Sequence, residues 1–244
     1  MTGLRNEYLA ALGIERWALK HAPPIVPEPP APAARSVEAR PADLAPDGVA
    51  SSDARGRESG CDWSTLQAHV AACVRCPLHA TRTQTVFGVG NKEADWLIVG
   101  EAPGAEEDAR GEPFVGRAGQ LLNAMLKAVG LAREQVYIAN VLKCRPPGNR
   151  DPAPLEAAEC LPYLEQQIAL LKPKILLAVG RIAAQNLLRT DTPLGRLRQQ
   201  VHRFGLSQVP LVATYHPAYL LRTPGDKRKA WEDLKFAREV SRGV

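Results

Sequence analysis

From about residue 60 onward, short apolar runs built like strands alternate with segments of helical period, and this alternation limits the chain to few architectures. Ala94–Gly100 (ADWLIVG), Val136–Val141 (VYIANV), Ile175–Gly180 (ILLAVG) and Leu211–Tyr215 (LVATY) are apolar with almost no polar interruption, the pattern of strands covered on both faces. Ala118–Val129, Leu155–Leu171, Arg181–Leu188 and Lys227–Val240 carry apolar residues at helical spacing. Strand and helix in alternation predict an α/β fold, a mainly parallel sheet with helices on both faces. Ligands of such sheets sit at the carboxyl ends of the strands. The segments that follow the strands, 101–119, 142–151, 181 onward and 216–222, are therefore where chemistry is expected.

The first 60 residues follow another rule. Eight prolines fall within residues 23–46, and no aromatic residue lies between Trp17 and Trp63. A stretch so poor in packing groups cannot offset its ordering entropy, so residues 22–60 read as a disordered Pro/Ala-rich linker. Ahead of it, in residues 1–21, Leu4, Tyr8, Ala11 and Leu12 recur at helical spacing. They predict a short amphipathic helix that either docks on a partner or on the domain itself, or has a purely local role or frays. The remaining residues, 61–244, form one domain.

No apolar run approaches the roughly 18 residues of a spanning helix, and charges interrupt the N-terminus where a secretory signal would be apolar. A cytoplasmic protein without a membrane segment is expected. The net charge is +5, but residues 181–244 hold twelve Lys and Arg against five Asp and Glu. That end of the chain is a candidate surface for a polyanion.

Four cysteines have metal-ligand character. Cys73-Val-Arg-Cys76 is a C-x2-C pair followed by proline, and Cys144 and Cys160 could complete a four-sulfur site. Zinc and an iron–sulfur cluster both accept four thiolates, so the spacing leaves the metal open. Cys61, at the end of the linker, reads as a free thiol.

The loop after the first strand, Gly100 to Gly119, is rich in glycine yet holds Glu101, Glu106, Glu107 and Asp108. Such an acidic loop, without the Lys-Ser/Thr ending of a P-loop, does not cradle phosphate. Its carboxylates either favour a helix N-terminus or handle a water molecule and a developing positive charge. Asn140, inside an apolar strand, is costly unless paired. It either bonds a neighbouring loop or offers its adjacent donor and acceptor to a base edge. His216 precedes proline at the end of the last strand, and Tyr219, Leu220 and Leu221 follow it.

Taken together, GEAPGAEEDARGEPFVGRAGQLL (100–122), NVLKCRPPGNRDP (140–152), HPAYLLR (216–222) and the cysteine spacing resemble the family 4, iron–sulfur class of uracil-DNA glycosylases. The resemblance covers about residues 64–242. It implies a three-layer α/β/α domain around a central, mainly parallel four-stranded sheet, and a 4Fe-4S cluster on Cys73, Cys76, Cys144 and Cys160. It also implies excision of uracil from double- or single-stranded DNA by a monomeric, monofunctional enzyme. By position, Phe114 would stack on the flipped uracil, Asn140 would read its edge, and His216 would donate to its O2. Glu107 would stand near the attacking water, with Glu101 a second carboxylate available for that role. Leu220 and Leu221 would wedge into the duplex beside Arg222. Family 1 relatives carry a carboxylate at the position of Ala102, in the substrate pocket, and a thymine-excluding tyrosine at that of Gly104; both departures are normal for family 4.

Two other classes fit less well. Relatives that become covalently trapped on DNA use a histidine in a basic insertion after the second strand, and residues 143–151 contain neither. A redox or structural metal module would not need the loop motifs at all.

Overall fold

The computed structural model describes residues 62–243, so the N-terminal helix, the linker and Cys61 lie outside the described residues. Six strands form one sheet: β1 (Val89–Gly90), β2 (Trp96–Gly100), β3 (Tyr137–Asn140), β4 (Ile175–Val179), β5 (His202–Phe204) and β6 (Val209–Thr214). Their order across the sheet is β1-β3-β2-β4-β6-β5. The four expected strands are its parallel centre, β3-β2-β4-β6, within a residue or two of the expected bounds. Two short antiparallel edge strands correct the expected count from four to six. β1 has two residues and β5 three, too few to show a period of two in sequence.

The helices are α1 (Trp63–Ala71), α2 (Ala105–Arg110), α3 (Arg117–Ala128), α4 (Pro154–Leu171), α5 (Arg181–Leu188), α6 (Leu194–Leu197), α7 (Pro217–Arg222) and α8 (Lys227–Arg242). Successive strand residues face opposite layers, which divides the core in two. Leu97, Val99, Tyr137, Ala139, Leu176, Ala178 and Leu211 pack with α4 and α5. Trp96, Ile98, Ile138, Ile175, Leu177 and Val212 pack with α3 and α8. Fully covered faces explain why these strands are apolar throughout.

Two segments expected to be loops contain helices. Pro217 is the first residue of α7, where a fixed φ and a missing N–H cost nothing, and His216 is its N-cap. Glu106, Glu107 and Asp108 fill the first turn of α2, as anticipated for carboxylates facing the positive end of a helix dipole. Beneath the end of β6, the fully buried Asp233 carboxylate of α8 accepts from Thr214 Oγ1, Gln199 and a bidentate Arg198. This ties down the strand two residues before His216.

Candidate active site

A cleft of about 450 Å³ opens where β2, β3 and β6 end. Glu101, Ala102, Glu107, Phe114, Asn140, His216 and Arg222, each named from sequence, all line it. So do Asn149, Arg150 and Asp151, which were quoted in a motif but given no role. Their signal was their place after a parallel strand, and it was too diffuse to single them out.

Asn140 is buried, and its Oδ1 has no hydrogen-bond partner among the described residues. No neighbouring loop among the described residues satisfies this oxygen. A buried acceptor without a partner costs about 1–3 kcal/mol. Gly100 makes room for it: a Cβ there would strike both Asn140 Oδ1 and the edge of the Phe114 ring. Behind Asn140, its own carbonyl accepts from the buried ammonium of Lys143 at 2.8 Å, and Lys143 also donates to Gln167 Oε1 at 2.6 Å.

Phe114 sits at φ 55°, the left-handed region, at a cost of about 1–3 kcal/mol for a residue with a side chain. Its ring lies near-parallel to the His216 imidazole, with centroids 5.6 Å apart. His216 Nδ1 accepts the amide N–H of Ala218 at 3.1 Å. Burial, then the positive charge of Arg222, pushes the His216 pKa down to about 4, against a smaller opposing pull from Glu107. The ring is neutral at pH 7 and its remaining proton is on Nε2.

The two candidate carboxylates differ sharply. Glu107 Oε2 accepts from Gly104 N–H at 3.1 Å, and Oε1 from Val115 and Gly116 N–H at 3.0 and 3.3 Å. Its orientation is fixed by three backbone donors. The Glu101 carboxylate has no hydrogen bond to a described residue. Burial first, and the nearby Asp151 second, push its pKa up to about 7, with Arg181 pulling the other way.

Leu220 and Leu221 are not a pair. Leu220 is buried in the α3/α8 layer, whereas Leu221 is 36% exposed. The expectation that Leu220 projects into DNA is corrected: on a helix, successive residues point about 100° apart, and α7 turns one of the two inward.

Cys73, Cys76, Cys144 and Cys160 wall one small cavity away from the cleft. Arg82 donates to Cys144 Sγ at 3.1 Å and the Lys143 amide to Cys160 Sγ at 3.2 Å. Among the described residues, no three ligand side chains converge closely enough for a single metal ion.

The profile of the Uracil DNA glycosylase superfamily matches residues 87–235, more than half of the chain. The chain belongs to this superfamily. Within it, the glycosylase is 46% identical over 178 residues to the type-4 uracil-DNA glycosylase of Archaeoglobus fulgidus, covering 70% of this chain and 89% of that protein. It is 44% identical over 179 residues to the type-4 enzyme of Pyrobaculum aerophilum, covering 71% and 91%. Against that of Thermotoga maritima the identity is 42% over 173 residues, covering 69% and 89%. No helix among the described residues is long and apolar enough to cross a membrane.

Proposed function

We propose that this chain is a monofunctional uracil-DNA glycosylase of DNA base excision repair, which flips uracil out of DNA and hydrolyses its N-glycosidic bond to leave an abasic site. The observation that carries the reading is the buried, unpartnered Asn140 Oδ1 beside the Phe114 ring. A buried acceptor without a protein partner is available to a donor that enters the cleft, and the N3–H on the edge of uracil is one. The flipped base stacks on Phe114, and Ala102 leaves the cleft open beside it.

Breaking the bond puts negative charge on the uracil ring and positive charge on the sugar. Neutral His216 donates from Nε2 to O2 and stabilises the departing anion, a contribution of about 10²- to 10³-fold for a donor of this kind. Glu107, held by three amides, opposes the sugar cation. Glu101, with a pKa close to working pH, is suited to accept the proton of the attacking water. This divides between the two carboxylates a role for which the sequence offered both. Among the described residues no lysine lines the cleft to form a Schiff base, which supports monofunctional chemistry.

On the DNA side, Arg222 and the basic end of the chain contact phosphate, and Leu221 is the residue available to fill the space left by the base. The four cysteines are the ligands of a 4Fe-4S cluster. Four sulfurs around one cavity are a donor set that an iron–sulfur cluster accepts, and the likeness to the family 4 glycosylases favours the cluster over zinc. Burial pushes the Cys160 thiol up to about 11, so the thiolate form depends on positive charge such as iron supplies. Bound there, a cluster would contribute folding energy and cross-link α4 to the loop after β3. The enzyme is assigned to the cytoplasm as a monomer, with the N-terminal segment available to a repair or replication partner.

The test is incubation of purified protein with a uracil-containing oligonucleotide, then alkaline cleavage of abasic sites. Strand breaks confined to the uracil position are expected. Intact oligonucleotide after prolonged incubation would overturn the proposal.

A further inference from the structure

The strained backbone of Phe114 has to be held by something, and its holders come from opposite sides. Glu107 takes the amides that follow it, Val115 and Gly116. The carbonyls on the other side are taken by Arg133, in the short 3₁₀ turn before β3. Its Nη2 donates to Pro113 O at 2.7 Å and its Nη1 to Phe114 O at 3.3 Å, with Asn123 Oδ1 at 3.1 Å as a further acceptor. Among the described residues no carboxylate pairs with this guanidinium at contact distance, and Glu112 and Glu134 attract it only at longer range. Gly119 permits the arrangement, since a Cβ there would collide with the Phe114 carbonyl oxygen.

We propose that Arg133 is a positioning residue for excision: its guanidinium clamps the Pro113 and Phe114 carbonyls and so fixes the Phe114 ring in the pose that receives the flipped base. A planar fork with five donors can hold two successive carbonyls and an amide oxygen together, which an ammonium cannot. Arg133 lies outside every motif quoted above, about twenty residues beyond the ring it serves. The inference rests on the reading of Phe114 as the stacking surface, and the experiment separates the two.

Single-turnover excision is measured for wild type, Arg133→Ala, Phe114→Ala and the double variant, with Arg133→Gln and Arg133→Lys alongside. Misplacing a positioned group by about 1 Å costs on the order of 100-fold, so Arg133→Ala is expected to slow excision by about 10- to 100-fold. In the Phe114→Ala background the same change should cost less than about twofold, because residues acting through one contact are not additive. Affinity for uracil-free DNA should stay within about twofold, and Arg133→Lys, able to hold one carbonyl, should fall between Ala and wild type. Arg133→Gln keeps part of the donor set and carries the comparison should the alanine variant not fold. Equal losses in both backgrounds would make Arg133 a general structural residue and overturn the inference. Loss of uracil-free DNA binding would make it a phosphate contact and also overturn it. Were Phe114→Ala itself as fast as wild type, the stacking role would fail first, and the clamp would have nothing to position.

Discussion

The ring of His216 and the backbone of Ala218 meet at 3.1 Å, with Nδ1 accepting the amide N–H. One short contact at the start of α7 thus decides the tautomer of the residue expected to touch the leaving group. It also turns the ring into the N-cap of that helix.

A histidine in this state donates as a neutral group. His216→Ala should slow single-turnover excision by about 10²- to 10³-fold. Because the folded pKa lies near 4 against 6.5 for a free ring, the unfolded chain takes up a proton in that window that the folded ring refuses. Stability should therefore fall as the pH drops from about 6.5 toward 4. His216→Ala should lessen that fall in thermal unfolding, and the His216 resonance should show no titration above pH 5.

Glu101 titrates in the opposite sense. With its pKa raised to about 7, its charged form appears only as the pH rises through neutrality. Single-turnover excision should climb through that range and level off above it, and Glu101→Gln should be slow with the step removed. Its stability contribution runs the other way, diminishing as pH rises from about 4.5 through 7, where the fold holds a proton that the unfolded chain releases. Glu107→Gln should slow excision while leaving the inflection in place. A wild-type profile flat from pH 5.5 to 8 contradicts the assignment to Glu101.

Asn140→Ala separates activity from stability. It should slow excision by two orders of magnitude or more while leaving affinity for uracil-free DNA nearly unchanged. Because it removes a buried acceptor that lacks a partner, its melting temperature should equal or exceed that of wild type. Falling activity with falling stability would mean that the amide is a structural group.

The two leucines of α7 should behave as different residues. Leu220→Ala should lower stability by about 2–5 kcal/mol, the usual range for a truncated core leucine. Leu221→Ala should leave stability within about 0.5 kcal/mol and slow excision from duplex more than from single-stranded DNA. Arg222→Ala should weaken binding to all DNA and flatten its salt dependence, with less effect from Lys229, which is paired to Asp226.

Aerobically purified protein should be brown and contain about four irons per chain, with broad visible absorbance. Cys73→Ala should lose colour and soluble yield together. Colourless protein with one zinc would overturn the cluster.

Much of this molecule was written locally. Strand and helix identities follow from apolar periodicity, a property of neighbouring residues, so the parallel centre of the sheet and α3, α4, α5 and α8 were recognisable before folding. The clustering of motifs after strands likewise pointed to one cleft, because parallel strands deliver their carboxyl ends to the same edge. The short edge strands escaped because two or three residues carry no period. What only the tertiary structure decided are relations between distant segments: which of two adjacent leucines faces the core, and which carboxylate stays free of backbone donors. The orphaned Asn140 acceptor, the depressed His216 pKa and the grip of Arg133 on Phe114 belong to the same kind. Burial and hydrogen-bond partnership depend on what the rest of the chain brings alongside, and no stretch of sequence contains its own surroundings.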